Sequence, residues 1–96
     1  MEENKKNRAS QKAIALKYSP TDIAPKVIAK GQGFMAERIL KTAEENDVAV
    51  YKDEKLVSEL DKLDIGNNIP PELYEVVAQV LIFIDRLDQL AGYKNR

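Results

Sequence analysis

A glycine-rich segment in the first half of the chain has the spacing of a phosphate-binding turn. Residues 31–36 (GQGFMA) fit the pattern G-x-G-x-x-A, with Gly31 and Gly33 as its two glycines. The segment follows an apolar run typical of a strand and begins a stretch with helical spacing. Asp53 or Glu54 follows about 20 residues later, as an acidic residue does in dinucleotide-binding units. The chemistry would be an anion held by backbone N–H groups at a helix N-terminus.

The same glycines also have a purely structural interpretation. A dinucleotide-binding half requires the order βαβαβ, whereas nothing after Asp53 supplies its third parallel strand. In that case Gly31 ends a strand, and Gly33 lets a helix begin close to the sheet. A small regulatory domain that binds an anion or a nucleotide at Gly31 and Gly33 is kept as the alternative function.

No other set of residues forms a convincing catalytic constellation. The chain has no cysteine and no histidine, which excludes a disulfide framework, a thiolate or imidazole zinc site and the Cys- or His-dependent nucleophiles. Asp47, Asp53 and Glu54 are near one another in sequence and would suit a divalent cation, but carboxylates that flank a strand are more often solvated turn residues. We expect no enzymatic activity, no metal site and no cofactor.

Composition and charge indicate one small domain and give no electrostatic case for nucleic acid as a partner. The 96 residues include 15 basic and 16 acidic ones, for a net charge of -1, whereas phosphate binding requires a basic excess on one face. The basic cluster within residues 5–12 lies in a polar segment and is interpreted as a solvated tail. The longest apolar run, residues 76–84, is too short to span a membrane, and no secretory signal begins the chain, so a cytoplasmic protein is predicted.

The first half of the chain predicts two strands, a helix and a third strand. Apolar runs at residues 13–18 and 26–30 flank a segment with two prolines, which is typical of antiparallel strands joined by a short loop. From Gly33 to about Asn46 the spacing of apolar residues is helical. Residues 48–51 (VAVY) then predict another strand, and strand–helix–strand implies a right-handed parallel crossover.

The second half predicts two helices separated by a turn at residues 65–69. Leu56, Leu60 and Leu63 line one face of a short amphipathic helix. Pro70 and Pro71 begin the last helix, because proline suits the first helical turn. The predicted fold is α/β (α+β), with a small mixed sheet of about three strands packed by three helices in the order β-β-α-β-α-α. Its predicted limits are residues 12–91, between a disordered polar tail (1–11) and a C-terminal tail (92–96).

Three segments, taken in order, resemble the cytoplasmic domain of the FlhB/YscU family. They are residues 13–18 (AIALKY), residues 24–31 (APKVIAKG) and residues 65–81 with the pattern IGxxIPxxLYxxVAxVL. The resemblance extends from about Lys12 to Leu87. It implies a mixed sheet packed by helices and a role in flagellar or related type III protein export, where family members switch the apparatus from early to late substrates. The implied partners are export-apparatus proteins and export substrates, at the cytoplasmic face of the membrane export gate.

The sequence departs from this family at its self-cleavage site. Family members cleave themselves at an Asn-Pro-Thr-His turn just before the strand that residues 13–18 match. The corresponding positions hold Arg8, Ala9, Ser10 and Gln11. The reaction requires an asparagine whose side-chain amide attacks its own backbone carbonyl to form a cyclic imide, which arginine cannot do. We therefore expect no self-cleavage, and predict a non-enzymatic protein-binding module of the export apparatus.

The resemblance also implies a binding patch. The family's cytoplasmic domain engages export substrates through exposed apolar residues, and the matching positions are Ala24, Pro25, Ala78 and Leu81. The alternative interpretation is that Ala78 and Leu81 belong to the core. We expect the family's membrane domain and the strand before its cleavage turn to be missing. That loss could leave a sheet edge unpaired, which would either accept another chain or be covered by the N-terminal tail.

Overall fold

The computed structural model describes the backbone of residues 11–95 and the side chains of residues 11–86. Arg8, Ala9 and Ser10 at the position of the cleavage turn lie outside the described residues, as does most of the predicted N-terminal tail. Gln11 is described, and its carbonyl accepts a hydrogen bond of 2.8 Å from the backbone N–H of Gly33. The division of the chain into a domain and two tails stays a prediction.

An antiparallel hairpin forms the sheet, as the sequence predicted. Strand β1 (Lys12–Lys17) pairs with strand β2 (Lys26–Gln32), with Ala13 opposite Gly31 at one end and Lys17 opposite Lys26 at the other. Beyond β2, residues 66–69 run alongside its first half, where the N–H of Val27 donates to the carbonyl of Asn67 over 2.9 Å. This contact fixes the turn at residues 65–69 against the sheet.

Three helices follow, each with a start that the sequence explains. Helix α1 (Phe34–Glu45) begins at Gly33, whose φ of 61° lies in the left-handed region that glycine adopts most readily. Helix α2 (Glu54–Leu60) begins at Asp53, whose carboxylate accepts a hydrogen bond of 3.0 Å from the N–H of Leu56. A 3₁₀ turn (Pro71–Leu73) leads into helix α3 (Tyr74–Asn95), which continues through residues 92–95 that the sequence assigned to a tail.

The prediction of a third strand at residues 48–51 is wrong, and with it the parallel crossover. The N–H of Val48 donates to the carbonyl of Ala43 over 2.8 Å, so the segment begins as the end of α1 rather than as a sheet strand. Val48 and Val50 are at least half exposed. Tyr51 packs edge-to-face on Phe83 of α3, with ring centroids 5.6 Å apart. The segment is therefore held by side chains, and the described sheet has two strands.

The hydrophobic core lies between the sheet, α2 and the start of α3. Its buried members are Ala24, Leu56, Leu60, Ile69 and Val77, and the partly buried residues packed against them are Ile14, Leu16, Leu63, Leu73, Val80 and Leu81. Burying one such aliphatic side chain stabilises the fold by about 1.5–3 kcal/mol. Helix α1 contacts both strands, with the fully buried Ala36 near its start. The predicted fold class is confirmed with one strand fewer.

Strand β1 has one edge that no other described segment covers. Over residues 11–95, no backbone hydrogen bond joins β1 to any segment other than β2. An edge of this kind is a place where an extended chain can add. Whether another chain adds there stays a prediction.

Candidate functional site

A groove of about 290 Å³ opens between the loop that joins β1 to β2 and the first turns of α3. It brings together all four residues that the family resemblance implied for a binding patch, although the chain separates the two pairs by more than fifty positions. The described residues that line it are Tyr18, Ile23, Ala24, Pro25, Ile69, Tyr74, Val77, Ala78, Leu81 and Ile82. None of these side chains is charged, so the groove suits an apolar ligand.

The floor of the groove is part of the core and is held by the backbone. Ala24, Ile69 and Val77 are almost completely buried, with at most 4% of their surface exposed. The N–H of Ile69 donates to the carbonyl of Pro25 over 2.9 Å, which ties the floor's two loop segments together. These contacts lie within the chain itself, and a floor held in this way lowers the cost of ordering the site when a partner binds.

The walls of the groove are exposed apolar side chains, one wall on the loop between β1 and β2 and the other on α3. The N–H of Ser19 donates to the carboxylate of Asp22, and the N–H of Asp22 donates to the carbonyl of Ser19, both over 2.9 Å. This pair of bonds closes the turn that precedes Ile23, whose side chain is 90% exposed. Across the groove, Tyr74 and Ile82 of α3 are also exposed. A partner that covered these side chains would remove apolar surface from water at small conformational cost.

The sequence left open whether Ala78 and Leu81 belong to the core or to a binding patch, and the two residues differ in this respect. Ala78 is exposed on α3 and lines the groove, so it is not a core residue. Leu81 is partly buried and does both, because it packs against the core cluster and also lines the groove. Truncation of Leu81 would therefore change stability and the groove together, whereas Ala78 can be changed for its surface alone.

The glycine-rich segment has packing roles in the structure. A Cβ added at Gly31 would lie 2.6 Å from the Cβ of Met35 and 3.0 Å from the backbone carbonyl carbon of the same residue, closer than real Cβ atoms approach their neighbours. Gly31 thus lets the first turn of α1 pack directly on β2. Asp53, the acidic residue of the dinucleotide pattern, caps α2 with its carboxylate. Both features of the pattern therefore have a structural explanation.

Among the described residues, the carboxylates considered for a divalent cation do not converge, and Lys30 has a structural role. Within the described part of the chain, no group of three or more acidic side chains is placed to hold a metal ion. Asp47 occupies the left-handed conformation, with φ 57°, just after α1. Lys30 donates to the backbone carbonyls of Asp61 and Leu63, at 3.0 and 2.9 Å, where the chain leaves α2. No helix among the described residues is long and apolar enough to cross a membrane.

Sequence reasoning missed most of the groove's walls. Ile23 carries the clearest signal that was available, because it is the one large aliphatic residue in a loop that holds two prolines and other turn-forming residues. Tyr18 directly follows a strand, and Tyr74 and Ile82 lie on a helix that is apolar over more than one face. Their assembly depends on how α3 meets the loop, which no local pattern encodes.

The sequence relatives are of two kinds, a protein matched over nearly its whole length and much longer flagellar proteins matched over a small part. YlqH of Bacillus subtilis, an uncharacterized protein, is 40% identical over 87 residues, which is 90% of this chain and 91% of YlqH. The flagellar biosynthetic protein FlhB is 38% identical in Aquifex aeolicus over 75% of this chain, and 38% identical in Escherichia coli over 90%. The chain spans only 21% and 24% of the lengths of these two FlhB proteins.

Solved structures with the same fold are cytoplasmic domains of such proteins. The cytoplasmic domain of FlhB from Shewanella putrefaciens has a TM-score of 0.81 and 31% identity, over 88% of this chain and 71% of that one. A mutated EscU C-terminal domain has a TM-score of 0.73 and 34% identity, over 77% and 92%. Residues 10–84 match the FlhB HrpN YscU SpaS Family, whose members are components of the flagellar and type III export apparatus. The chain belongs to the FlhB HrpN YscU SpaS Family.

Proposed function

We propose that this protein is a non-enzymatic binding module of flagellar or related type III protein export. One observation supports the proposal most directly, namely that Ala24, Pro25, Ala78 and Leu81 line a single open groove. The family resemblance implies a binding patch at the same four positions from their place in the sequence. The partner would be an export substrate or an export-apparatus protein that places apolar side chains in this groove.

The groove's geometry defines how such a partner binds. An inserted aliphatic side chain would contact Ile69 and Val77 on the floor, and Ile23 and Ile82 would cover its sides. Each 100 Å² of apolar surface that leaves water contributes about 2.5 kcal/mol before the costs of association. A few anchoring side chains would dominate the affinity, because interface energies concentrate in well-packed central contacts.

A matched pair of substitutions on α3 tests the binding role. Ala78→Asp places a carboxylate in the groove, whereas Gln79→Asp places the same charge one residue away, outside the groove lining. Both positions are exposed, so we expect each variant to keep the native stability to within about 0.5 kcal/mol. With the protein as bait, Ala78→Asp should lose capture of early export substrates and of the full-length export-gate protein. Equal capture by the two variants would sink the proposal.

Within the apparatus, we expect the protein to use the same contacts as the C-terminal part of a full-length FlhB-type protein, and so to stand in for it or compete with it. Competition is measurable with purified components. Increasing amounts of this protein should displace an early substrate from the cytoplasmic domain of the FlhB-type protein, and Ala78→Asp should not. Capture of substrate unaffected by a large excess of this protein would contradict the shared contact.

We further propose that the chain does not cleave itself, because Arg8 stands where the reaction needs asparagine. The intact mass should be unchanged after prolonged incubation. A variant with Asn-Pro-Thr-His at residues 8–11 is the matched comparison, since it restores the cyclising side chain and the turn. Loss of about eight N-terminal residues from the native chain would contradict the proposal, whatever the variant does.

A further inference from the structure

Two phenol hydroxyls, those of Tyr18 and Tyr74, are the side-chain polar groups of the groove. The other described residues that line it carry hydrocarbon side chains alone. Tyr18 directly follows β1 and Tyr74 begins α3, so the two phenols belong to opposite walls. Neither hydroxyl forms a hydrogen bond with any residue from 11 to 86. A phenol hydroxyl both donates and accepts, so each can bind an amide N–H or a carbonyl of a partner.

The loop wall of the groove adds main-chain groups that the chain does not use. Ile23 and Ala24 lie between the two strands, and neither their N–H groups nor their carbonyls form a hydrogen bond within residues 11–95. Ala24 lines the groove and is only 4% exposed. Main-chain groups of residues so deeply buried are nearly always paired. A ligand that paired them would remove the cost of leaving them unsatisfied.

We infer that the groove binds an extended segment of the partner protein, and that Tyr18 and Tyr74 hydrogen-bond to the main-chain amides of that segment. The inference rests on the proposed function and adds to it the conformation of the ligand. In an extended segment, side chains two positions apart project to the same side, and the amides between them remain unpaired. The side chains would enter the apolar floor, and the amides would meet the phenols and the loop.

A helical ligand fits this set of groups less well. A helix pairs its main-chain N–H and carbonyl groups internally, except in its first and last turns. Its apolar face could cover the floor, but it would leave the two hydroxyls and the main chain of Ile23 and Ala24 without partners. Main-chain amides also occur in every sequence. The groove would therefore accept segments of different sequence, provided that their apolar anchors are two positions apart.

A matched set of phenylalanine variants isolates the two hydroxyls. Tyr18→Phe/Tyr74→Phe removes both hydroxyls and keeps both rings. Since neither hydroxyl has a partner in the described chain, the melting temperature should stay native. Tyr51→Phe is the control, because Tyr51 is as exposed as Tyr74, at 41%, but packs on Phe83 and does not line the groove.

Three synthetic peptides with blocked termini test the conformation of the ligand. The first has two leucines two positions apart among threonines, which favour an extended chain. The second has the same side chains, with esters in place of the two amides between the leucines. The third has leucines four positions apart among alanines, which favour a helix.

The native protein should bind the first peptide about fivefold more tightly than its ester analogue, as expected for one neutral hydrogen bond, and the helical peptide most weakly. The double variant should bind the amide and ester peptides equally, and Tyr51→Phe should keep the native preference. Equal binding of these two peptides by the native protein overturns the inference and leaves the proposed function standing. Tighter binding of the helical peptide has the same consequence.

Absence of binding by all three peptides counts against the proposed function, and a smaller probe then decides the inference. N-acetyl-leucine methylamide offers one aliphatic side chain between two amides. At millimolar concentration it should shift the backbone amide resonances of Ile23, Ala24 and Tyr74 saturably in the native protein, and much less in Tyr18→Phe/Tyr74→Phe. Equal shifts in the two proteins, or none in either, would overturn the inference.

Discussion

The two ends of β2 show opposite relations between sequence motif and surface. At its C-terminal end, Gly31 and Gly33 belong to a recognisable anion-binding pattern, yet the first turn of α1 packs on Gly31. At its N-terminal end, Ala24 and Pro25 belong to no general chemical motif, yet they line an open apolar groove. The more conspicuous pattern is used for packing, and the less conspicuous end is the better candidate for binding.

The difference has a physical cause. A helix that begins directly after a strand must approach the sheet closely, and a residue without a Cβ at the contact permits this, whether or not a ligand is bound. An apolar groove needs only side chains from distant segments to converge, and such convergence leaves no short motif. Spacing patterns are therefore weaker evidence for a ligand than open surface whose residues share one chemistry.

The largest expected effect is at the C-terminal end of β2, where α1 packs on Gly31. Gly31→Ala should destabilise the fold by about 3 kcal/mol, because the added Cβ meets the backbone and side chain at the start of α1. Gly66→Ala is the comparison variant. Nothing lies within 4 Å of its added Cβ, but its φ is +97°, so this variant introduces backbone strain without steric conflict. Urea unfolding should show a smaller loss for Gly66→Ala, about 1–2 kcal/mol. A native-like midpoint for Gly31→Ala would show that α1 does not pack as closely as the structure has it.

At the N-terminal end of β2, where the groove lies, two truncations compare the floor of the groove with its wall. Val77→Ala should cost about 2 kcal/mol, since Val77 is 1% exposed and lies in the core cluster. Leu81→Ala should cost less than the 2–5 kcal/mol typical of a fully buried leucine, because part of its surface faces the groove. Thermal unfolding with substrate capture distinguishes the two sites. A stability loss for Leu81→Ala as large as that of a fully buried leucine, with substrate capture unchanged, would assign Leu81 to the core alone.

A smaller effect tests the acidic residue of the glycine pattern. Asp53→Ala should destabilise the protein by about 1 kcal/mol, because the N–H of Leu56 loses its hydrogen-bond acceptor at the start of α2. Asp53→Asn and Asp53→Ser are the matched comparisons, since both keep a capping oxygen and should retain most of the stability. A loss of stability in all three variants, measured by urea unfolding, would mean that the charge matters rather than the cap.

The smallest expected effect is a null result at the glycine segment. Millimolar nucleotide or phosphate should leave the melting temperature unchanged, because Gly31 serves packing and Asp53 caps α2. A ligand that bound only the folded state, at 100 times its Kd, would instead add about 2.7 kcal/mol of stability. For a domain of this size, that gain corresponds to roughly 10 °C or more. A reproducible shift of that size, abolished by Gly33→Ala, would restore the anion-binding interpretation.

Local patterns predicted the helices, whose hydrogen bonds are local, and the hairpin, whose two strands are joined by a short loop. The hairpin, the start of α1 at Gly33 and the start of the last helix after two prolines all follow from residue type and spacing. The strand at residues 48–51 failed for the same reason, since a short run of β-branched residues indicates an extended segment but not a neighbour to pair with. Tyr51 instead packs on Phe83, more than thirty residues away in sequence.

The sequence by itself determined the fold class, the segments that resemble the FlhB/YscU family and the substitution of Arg8 at the cleavage position. These features depend on residue identity and on spacing along the chain. Tertiary structure decided which apolar residues of α3 are buried, that Gly31 is a packing position, and that Ala24, Pro25, Ala78 and Leu81 line one groove. Those properties depend on distances between segments far apart in sequence, which only the packed chain defines.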